Sequence, residues 1–564
     1  MRVTISRFVP FCALLLGAVP WSGSMTAPRA DSFSLPGAVS DCPLGKGSCT
    51  DNTAAFRAAI EAAQKRKGNV SIPCGSYRLS GPLTIANTTD TSIADARPSL
   101  LGEGARCTYL YFAPGAYDPI TVAGTNAQSP AAVSYQTVAG FTVSKGDYQG
   151  RCIVLRGLAH VVGRDLYATG CQHGFFMEDV QESQFFNLYG AFNSLCGLHV
   201  QQKVFTASNA LNFYGASFSA NGLCGVDLHN PYVAAFHGGA IEQNGFNGGG
   251  GWGIRVFYPD ARDVNGGISL NVEDVYFERN SGTADIWYVN HAKDGTIPSM
   301  VRLTGNNFNR APNSIGRAVT VSEGSPAVVG FPDHGLVAGQ PFSLDTTGTL
   351  PSGLGAGQTY YVAAAGLGRD SFQIASDPGG SPVAAQGTQS GTHRLVSRTL
   401  NVVRVSTANG NSVKIVSSSS YGLTTPGYVP SVTSPYFAVD DESQPVQFCI
   451  QGDRYNDYQE APNFFASCDF AAIQMDMAPA AEVRRRSNIK ALTRHGVGDY
   501  TFTFAFPSRP APDGSPKPYN WHYASGTPGY MTITAYTPTS FRARFFTYGN
   551  VAADPQNLSI RWID

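Results

Sequence analysis

CGVDLHN, residues 224–230, has altered copies on both sides: CGLHVQQ at 196 and WGIRVFY at 252. HGFFMED at 173 and ADIWYVN at 284 extend the series, and four of the five segments carry glycine in second place. Successive starts lie 23, 28, 28 and 32 residues apart, too close for propeller blades and suited to turns of a parallel solenoid with loops of varying length. A second strand per turn aligns as well: ASFSANG at 216, GAIEQNG at 239 and VYFERNSG at 275. Parallel strands stack about 4.8 Å apart, so aligned residues become ladders along the solenoid.

Alternation along each strand sorts these ladders into two faces. Leu198, Val226, Ile254 and Ile286 point inward, with Val200, Leu228, Val256 and Tyr288 behind them. His199, Asp227, Arg255 and Trp287 point outward, as do Gln201, His229, Phe257 and Val289. In the second strand Phe218, Ile241 and Phe277 face in while Ser219, Glu242 and Glu278 face out. Asn221, Asn244 and Asn280 fall at the corner that follows, where an inward amide satisfies turn backbone groups and its ladder neighbours.

Composition agrees with an all-β chain. Gly at 62, Pro at 35, 26 Tyr and 33 Phe in 564 residues describe many short strands punctuated by turns. The 39 basic and 40 acidic side chains leave a net charge of -1, which gives no footprint for nucleic acid. Two arginines, an apolar run from Phe8 to Pro20 and then small residues read as a secretory signal over residues 1–30. No later segment is long and apolar enough for a membrane span, so a secreted protein, extracellular or periplasmic, is expected. Removal of Cys12 with that leader leaves ten cysteines, an even number that suits disulfides in an oxidising compartment. Cys42 with Cys49, and Cys449 with Cys468, are close in sequence and are the pairs expected to bond. CxxC, HExxH, GxxxxGKS and GxSxG are all lacking, which removes simple metal, nucleotide and serine-hydrolase readings.

Upstream of the repeats, DNTAAFRAAIEAAQ at 51–64 places Phe56, Ala59, Ile60 and Ala63 at helical spacing behind Asp51 and Asn52, either of which suits the N-cap. GNVSIPCGSYRLSGPLTI at 68–85 then alternates around a Pro-Cys-Gly turn. This opening resembles that of the pectate-lyase-like family of right-handed parallel β-helices, whose first coil is capped by such a helix. FPDHGLVAGQPFSLDTTGTLPSGLGAGQTYYV with DSFQIA resembles a small β-domain of phage tail-fibre proteins, inserted between the solenoid strands RLTGNNFNR and LNVVRVST. RHGVGDYTFTFAF through TSFRARFFTYGNVAADPQNLSIRWID resembles the C-terminal β-sandwich of tail-fibre and tailspike proteins. The resemblances imply a β-helix over 31–316, an inserted domain over 317–397, the end of the helix and a linker over 398–484, and a sandwich over 485–564. EVRRRS at 482–487 reads as a solvated part of that linker.

The same tailspike-like resemblance implies a homotrimer joined through the sandwich and an activity on polysaccharides. Light scattering of the intact mature chain at micromolar concentration should therefore return three chain masses, and a monomer would rule the trimer out.

A β-helix offers a long wall of outward side chains, which suits an extended polymer. Acids handle protons there while aromatics stack on sugar faces. Glu242 and Glu278, if on adjacent coils, form the carboxylate pair that glycoside hydrolysis needs, and Asp274, four residues before Glu278 on the same outward face, is a third catalytic candidate. Each glutamate can equally be a scaffold acid bonded to its corner. Asp227, His229 and Arg255, with His199 and Trp287 beside them, make a second candidate surface for binding substrate; the bland alternative is a solvated face with one ion pair. Against hydrolysis stands β-elimination, for which Arg255, Arg262 and His229 supply bases or charge. His173 and His237 sit beside glycines near corners, where packing explains them. No compact acidic cluster resembling a calcium site stands out, so no metal or other cofactor is expected, calcium entering only if the reaction is an elimination. The rival to a depolymerase is a non-catalytic carbohydrate-binding or adhesion protein on the same fold.

Overall fold

The computed structural model describes residues 32–43, 48–66, 68–86, 98–124, 136–203, 208–246, 251–259, 268–292, 298–309, 317–409 except 333, 335, 337, 378 and 398, 411–423 except 419, 437–440, 446–451, 454–455, 471–476, 482–487, 489–504, 520–524, 529–537, 540–547, 550–554 and 558–563. The leader lies outside this set, as does Cys468 and with it the second expected cysteine pair.

Thr53–Arg66 forms the expected helix, burying Phe56, Ala59, Ile60 and Ala63. Its cap is shared between both candidates. Asn52 stands at the cap position and its carbonyl accepts the Phe56 N–H, while the Asp51 carboxylate accepts the Thr53 N–H at 3.0 Å. Phe56 packs edge-on against Tyr77 of the first coil, 5.6 Å between centroids. Cys42 and Cys49 are bonded as expected, and Cys74–Cys107, Cys152–Cys171 and Cys196–Cys224 are bonded too.

The solenoid is a right-handed parallel β-helix with three strands per coil. All five aligned segments lie in one ten-stranded parallel sheet, in the register Leu198, Val226, Ile254, Ile286. These four side chains are fully buried, as are Val200 and Leu228 in the next inward row. The other two strands of each coil belong to one bent sheet, with Leu211–Tyr214, Val233–His237, Ile268–Glu273 and Pro298–Thr304 forming one column. Ser217–Ser219, Ala240–Glu242, Tyr276–Glu278 and Asn307–Asn309 form the second. The bend between columns is made by Asp165, Asn187, Gly215, Gly238, Asp274 and Gly305, one per coil, all at φ from 50° to 65°. Only Gly, Asn and Asp visit that left-handed region routinely, which is why these residue types recur there.

At the next corner Ala220, Gln243 and Arg279 are again left-handed, at φ 51°, 55° and 51°. Asn221, Asn244 and Asn280 follow them into the core. Each amide donates to the carboxamide oxygen of the next: Asn193 to Asn221 at 3.0 Å, Asn221 to Asn244 at 2.9 Å, and Asn244 to Asn280 at 3.0 Å.

After Asn307–Asn309 the chain leaves the helix, and it re-enters at Thr399–Thr407, which pairs with Gly282–Asn290. Between these points six strands from Arg317–Val321 to His393–Ser397 close a barrel around Val329, Phe331, Leu344, Phe372 and Ile374. Two four-stranded antiparallel sheets form the C-terminal β-sandwich. Glu482–Ser487 belongs to it as an edge strand paired with Ala471–Asp476, which corrects the reading of EVRRRS as linker. Charge runs are common on edge strands because they discourage pairing with further chains, so the run alone does not separate the two. Among the described residues no helix is long and apolar enough to cross a membrane.

Candidate functional site

On the second column Ser219, Glu242, Glu278 and Asn309 stand in register as an outward row. Glu242 and Glu278 are thus directly opposite on adjacent coils and half-buried. Ser219 Oγ donates to Glu242 Oε1 at 3.2 Å. Glu278 Oε1 accepts from Asn309 Nδ2 at 3.3 Å and pairs with Arg279 Nε at 3.2 Å. Tyr189 and Tyr276 flank the row, their phenols pushed up chiefly by burial and also by the glutamate charges. Asp274 is placed apart from the pair. It is an exposed bend residue at φ 54°, and among the described residues no hydrogen bond or ion pair joins it to either glutamate.

The sequence reading missed a groove of about 470 Å³ on the same wall, lined by Arg106, Asp165, Tyr167, Asn187, Tyr189 and Ser217 among others. The Tyr167 and Tyr189 rings are 5.0 Å apart, and Asn187 Nδ2 donates to Asp165 Oδ1 at 3.0 Å. Its signal was the repeat of Asp165-Leu166-Tyr167 as Asn187-Leu188-Tyr189, one coil apart. Ser217 connects the groove to the acids, because its hydroxyl lies 3.1 Å from that of Ser219, which donates to Glu242.

The second candidate set is assembled tightly on the ten-stranded sheet. Asp227 is buried, with Arg255 Nε at 2.8 Å from Oδ1, and Arg255 Nη2 at 3.0 Å and His229 Nε2 at 2.9 Å from Oδ2. His199 Nδ1 lies 3.3 Å from the same Oδ2. Burial alone would raise the Asp227 pKa, but the two imidazoles beside it, His199 and His229, and the Arg255 guanidinium outweigh it and hold the carboxyl well below the usual range. The guanidinium carbon sits 3.9 Å from the Trp252 ring centroid, 4.8 Å from Phe257 and 5.6 Å from Trp287. All five expected residues therefore meet, but as a closed ion cluster roofed by aromatic rings rather than as a solvated face.

His173 opens its strand rather than packing a corner, with its ring 5.0 Å from His199 and 5.9 Å from Phe176. His237 stacks on Tyr214 at 4.9 Å and bonds Glu273 at 3.0 Å. Burial, then the neighbouring His199, pushes the His173 imidazole from 6.5 down to about 3, with Arg151 acting in the same direction and Asp227 and Asp118 opposing. A histidine that folds neutral is protonated first in the unfolded chain. The stability it contributes is full above pH 6.5 and is lost as pH falls toward about 3, by at most about 1.4 kcal/mol per unit. His173→Phe should therefore flatten the fall in melting temperature below pH 6.5. An equally steep fall in the variant would remove His173 as the cause.

No family model matches the chain, and no curated protein matches it. Among solved structures the chain is similar to the A-module of a mannuronan C-5 epimerase from Azotobacter vinelandii, at 12% identity over 76% of this chain and 96% of that one, with a TM-score of 0.38. It is similar to the catalytic unit of a GH87 α-1,3-glucanase from Streptomyces thermodiastaticus, at 14% identity over 76% and 70% of the two chains and a TM-score of 0.35. Full-length tailspike protein 2 of the Escherichia coli O157:H7 bacteriophage CAB120 matches at 10% identity over 95% of this chain and 63% of its own, with a TM-score of 0.37. The β-helix rests on the strand pairing above, and these likenesses transfer no residue role or activity.

Proposed function

We propose that this chain is a secreted enzyme that hydrolyses glycosidic bonds of an extracellular or capsular polysaccharide, with Glu242 and Glu278 as its acid and base. The observation that carries this reading is the polar line from a tyrosine-walled groove through Ser217 and Ser219 to Glu242, with Glu278 directly opposite. A sugar chain laid along the wall would stack on Tyr167 and Tyr189 and bring a glycosidic oxygen to the pair. One carboxylic acid then protonates the leaving oxygen while the other carboxylate draws a proton from the attacking water, or itself attacks the anomeric carbon. Asp274, on the bend beside this wall, is suited to accept hydrogen bonds from sugar hydroxyls.

Hydrolysis is favoured over elimination by the state of the second cluster. Elimination needs a cation facing the uronic carboxylate and a free base. Arg255 has both Asp227 oxygens as partners, and His229 contacts the same carboxylate, so both are already engaged, while Arg262 lies outside the described residues. The exposed edges of Trp287 and His229 remain suited to hold distal sugars. Four disulfides favour an oxidising compartment and hence secretion. One observation favours a non-catalytic binding protein instead: Glu278 already pairs with Arg279 and Asn309, as a scaffold acid would.

The test is incubation with bacterial exopolysaccharides and pectin-type polymers. Reducing ends without absorbance from an unsaturated product are expected. Unsaturated product would overturn hydrolysis, and no cleavage across the panel would return the protein to the binding class.

A further inference from the structure

The Asp227 cluster holds a polar imbalance that its own side chains do not resolve. His199 Nδ1 is buried and lies 3.3 Å from Asp227 Oδ2, yet it is not aligned to donate and has no hydrogen-bond partner among the described residues. His229 Nε2 lies 2.9 Å from the same oxygen and 3.2 Å from Arg255 Nη2. With its proton on, Nε2 abuts the guanidinium N–H groups; with its proton off, it presents a lone pair to a carboxylate oxygen. Lone pairs converging on one carboxylate oxygen are the surroundings of a cation.

We propose that His199 Nδ1, Asp227 Oδ2 and His229 Nε2 form a binding site for a divalent transition metal of the zinc class, clamping two adjacent coils. The three donor atoms lie within 4.8 Å of one another. Ligands at about 2.0–2.1 Å from a tetrahedral ion are about 3.3 Å apart, the separation found between His199 and Asp227. Two imidazoles and one carboxylate are a donor set for zinc, nickel or cobalt rather than for calcium or magnesium. The surroundings already orient the ligands. Arg255 spans the carboxylate, with Nε on Oδ1 at 2.8 Å and Nη2 on Oδ2 at 3.0 Å, so it orients Asp227 from outside the coordination sphere and shares Oδ2 with the ion. The His199 ring is stacked on Phe176 at 5.1 Å and 15°, which fixes its Nδ1 edge toward the carboxylate. His199 and Asp227 are opposite residues on adjacent coils, the same two coils that Cys196–Cys224 joins. Three protein ligands leave a fourth position, which opens on the side where His229 is partly exposed.

The inference goes beyond the hydrolase reading and needs no turnover to be tested. The full mature chain, with any affinity tag removed and freed of metal by chelator and dialysis, is titrated with Zn²⁺ alone by calorimetry. Co²⁺ is added in parallel to read the intense visible absorption of a tetrahedral site. One equivalent bound per chain is expected, with a rise in melting temperature. His199→Gln and His229→Gln should each weaken binding about tenfold or more. Because His199 is buried and its variant is at risk of misfolding, the part-exposed His229→Gln, checked for an unchanged metal-free melting temperature, decides the matter. No binding of either ion overturns the proposal, as does one-equivalent binding that persists unchanged in the His229 variant.

Discussion

Glu242→Gln is expected to lower the rate of polysaccharide cleavage by about 10³-fold while leaving substrate binding within a few-fold of the parent. Glu278→Gln should do the same, and the double variant should fall little further, because an acid and a base that act in one transition state are not additive. A 10³-fold loss corresponds to about 4 kcal/mol of transition-state stabilisation, within the 10²- to 10⁴-fold that positioned proton transfer supplies. The amide is chosen because it keeps the scaffold contacts. Its oxygen would still accept from Ser219 Oγ in the first variant and from Asn309 Nδ2 in the second, while Glu278→Gln gives up the negative charge opposite Arg279, so the melting temperature of that variant is read alongside its turnover. If the glutamates only brace the corner, the variants should retain turnover and lose at most a little melting temperature. Asp274→Asn is the control on the same wall: asparagine tolerates the left-handed bend that Asp274 occupies, so folding is kept and any effect should fall on KM. Full cleavage by the double glutamine variant would sink the catalytic assignment.

The row that brings these acids together was legible because a strand repeats its facing every second residue and a solenoid repeats the strand. Aligning GAIEQNG with VYFERNSG was enough to set Glu242 opposite Glu278. The Cys196–Cys224 bridge is legible in the other alignment, that of CGLHVQQ with CGVDLHN, since both cysteines open aligned strands one coil apart, whereas nearness in sequence points elsewhere. Asp274 illustrates what the pattern omits. Its period puts it on the outward face, and it is exposed, but it sits on the left-handed bend between the two columns and so outside the row that Glu242 and Glu278 share. A single left-handed residue inside a strand leaves no mark on hydrophobic periodicity. Asp or Asn one coil from Gly is its only sequence trace, and the row from Asp165 to Gly305 shows it in hindsight.

The Asp227 cluster was legible as a row and illegible as chemistry. Register fixes that His199, Asp227, Arg255 and Trp287 are successive neighbours. Whether Arg255 reaches back to both carboxylate oxygens or out to solvent is a rotamer choice, decided by Trp252 and Phe257, whose rings leave the guanidinium little other room. That choice changes an exposed ion pair, worth little, into a buried cluster whose disruption would leave a charge uncompensated. Sequence periodicity says which residues meet. It does not say how much water they keep, and the pKa values and donor geometry depend on the water.

Asn244→Ala should destabilise the β-helix by about 3–6 kcal/mol, the largest effect expected from any single change outside the catalytic pair. The Asn244 side chain is fully buried. Its Oδ1 accepts from the Asn221 backbone N–H at 3.1 Å and from Asn221 Nδ2 at 2.9 Å, and its Nδ2 donates to the Phe218 carbonyl at 2.8 Å and Asn280 Oδ1 at 3.0 Å. Truncation leaves the Asn221 N–H and the Phe218 carbonyl without these partners in the core, at about 1–3 kcal/mol each, and adds a small cavity. Asn221 Nδ2 keeps the Gly190 carbonyl, and Asn280 Oδ1 keeps the Asn244 N–H, so the ladder is cut at one rung and not dissolved. A solenoid responds to such a cut locally, because each coil is held only by its two neighbours. Amide exchange should therefore rise by about 10²- to 10⁴-fold in the strands from Ser217–Ser219 to Tyr276–Glu278, while the inserted barrel and the C-terminal sheets, which have their own strand pairing, exchange as before. Unchanged protection in those strands would mean that the asparagine row is a passive consequence of the corner. The Glu242 carbonyl accepts the Ala220 N–H at 2.9 Å beside the same corner, so the loosened rung should also blur the position of the catalytic pair. Turnover in Asn244→Ala is then expected to fall together with protection, whereas in Glu242→Gln it falls alone.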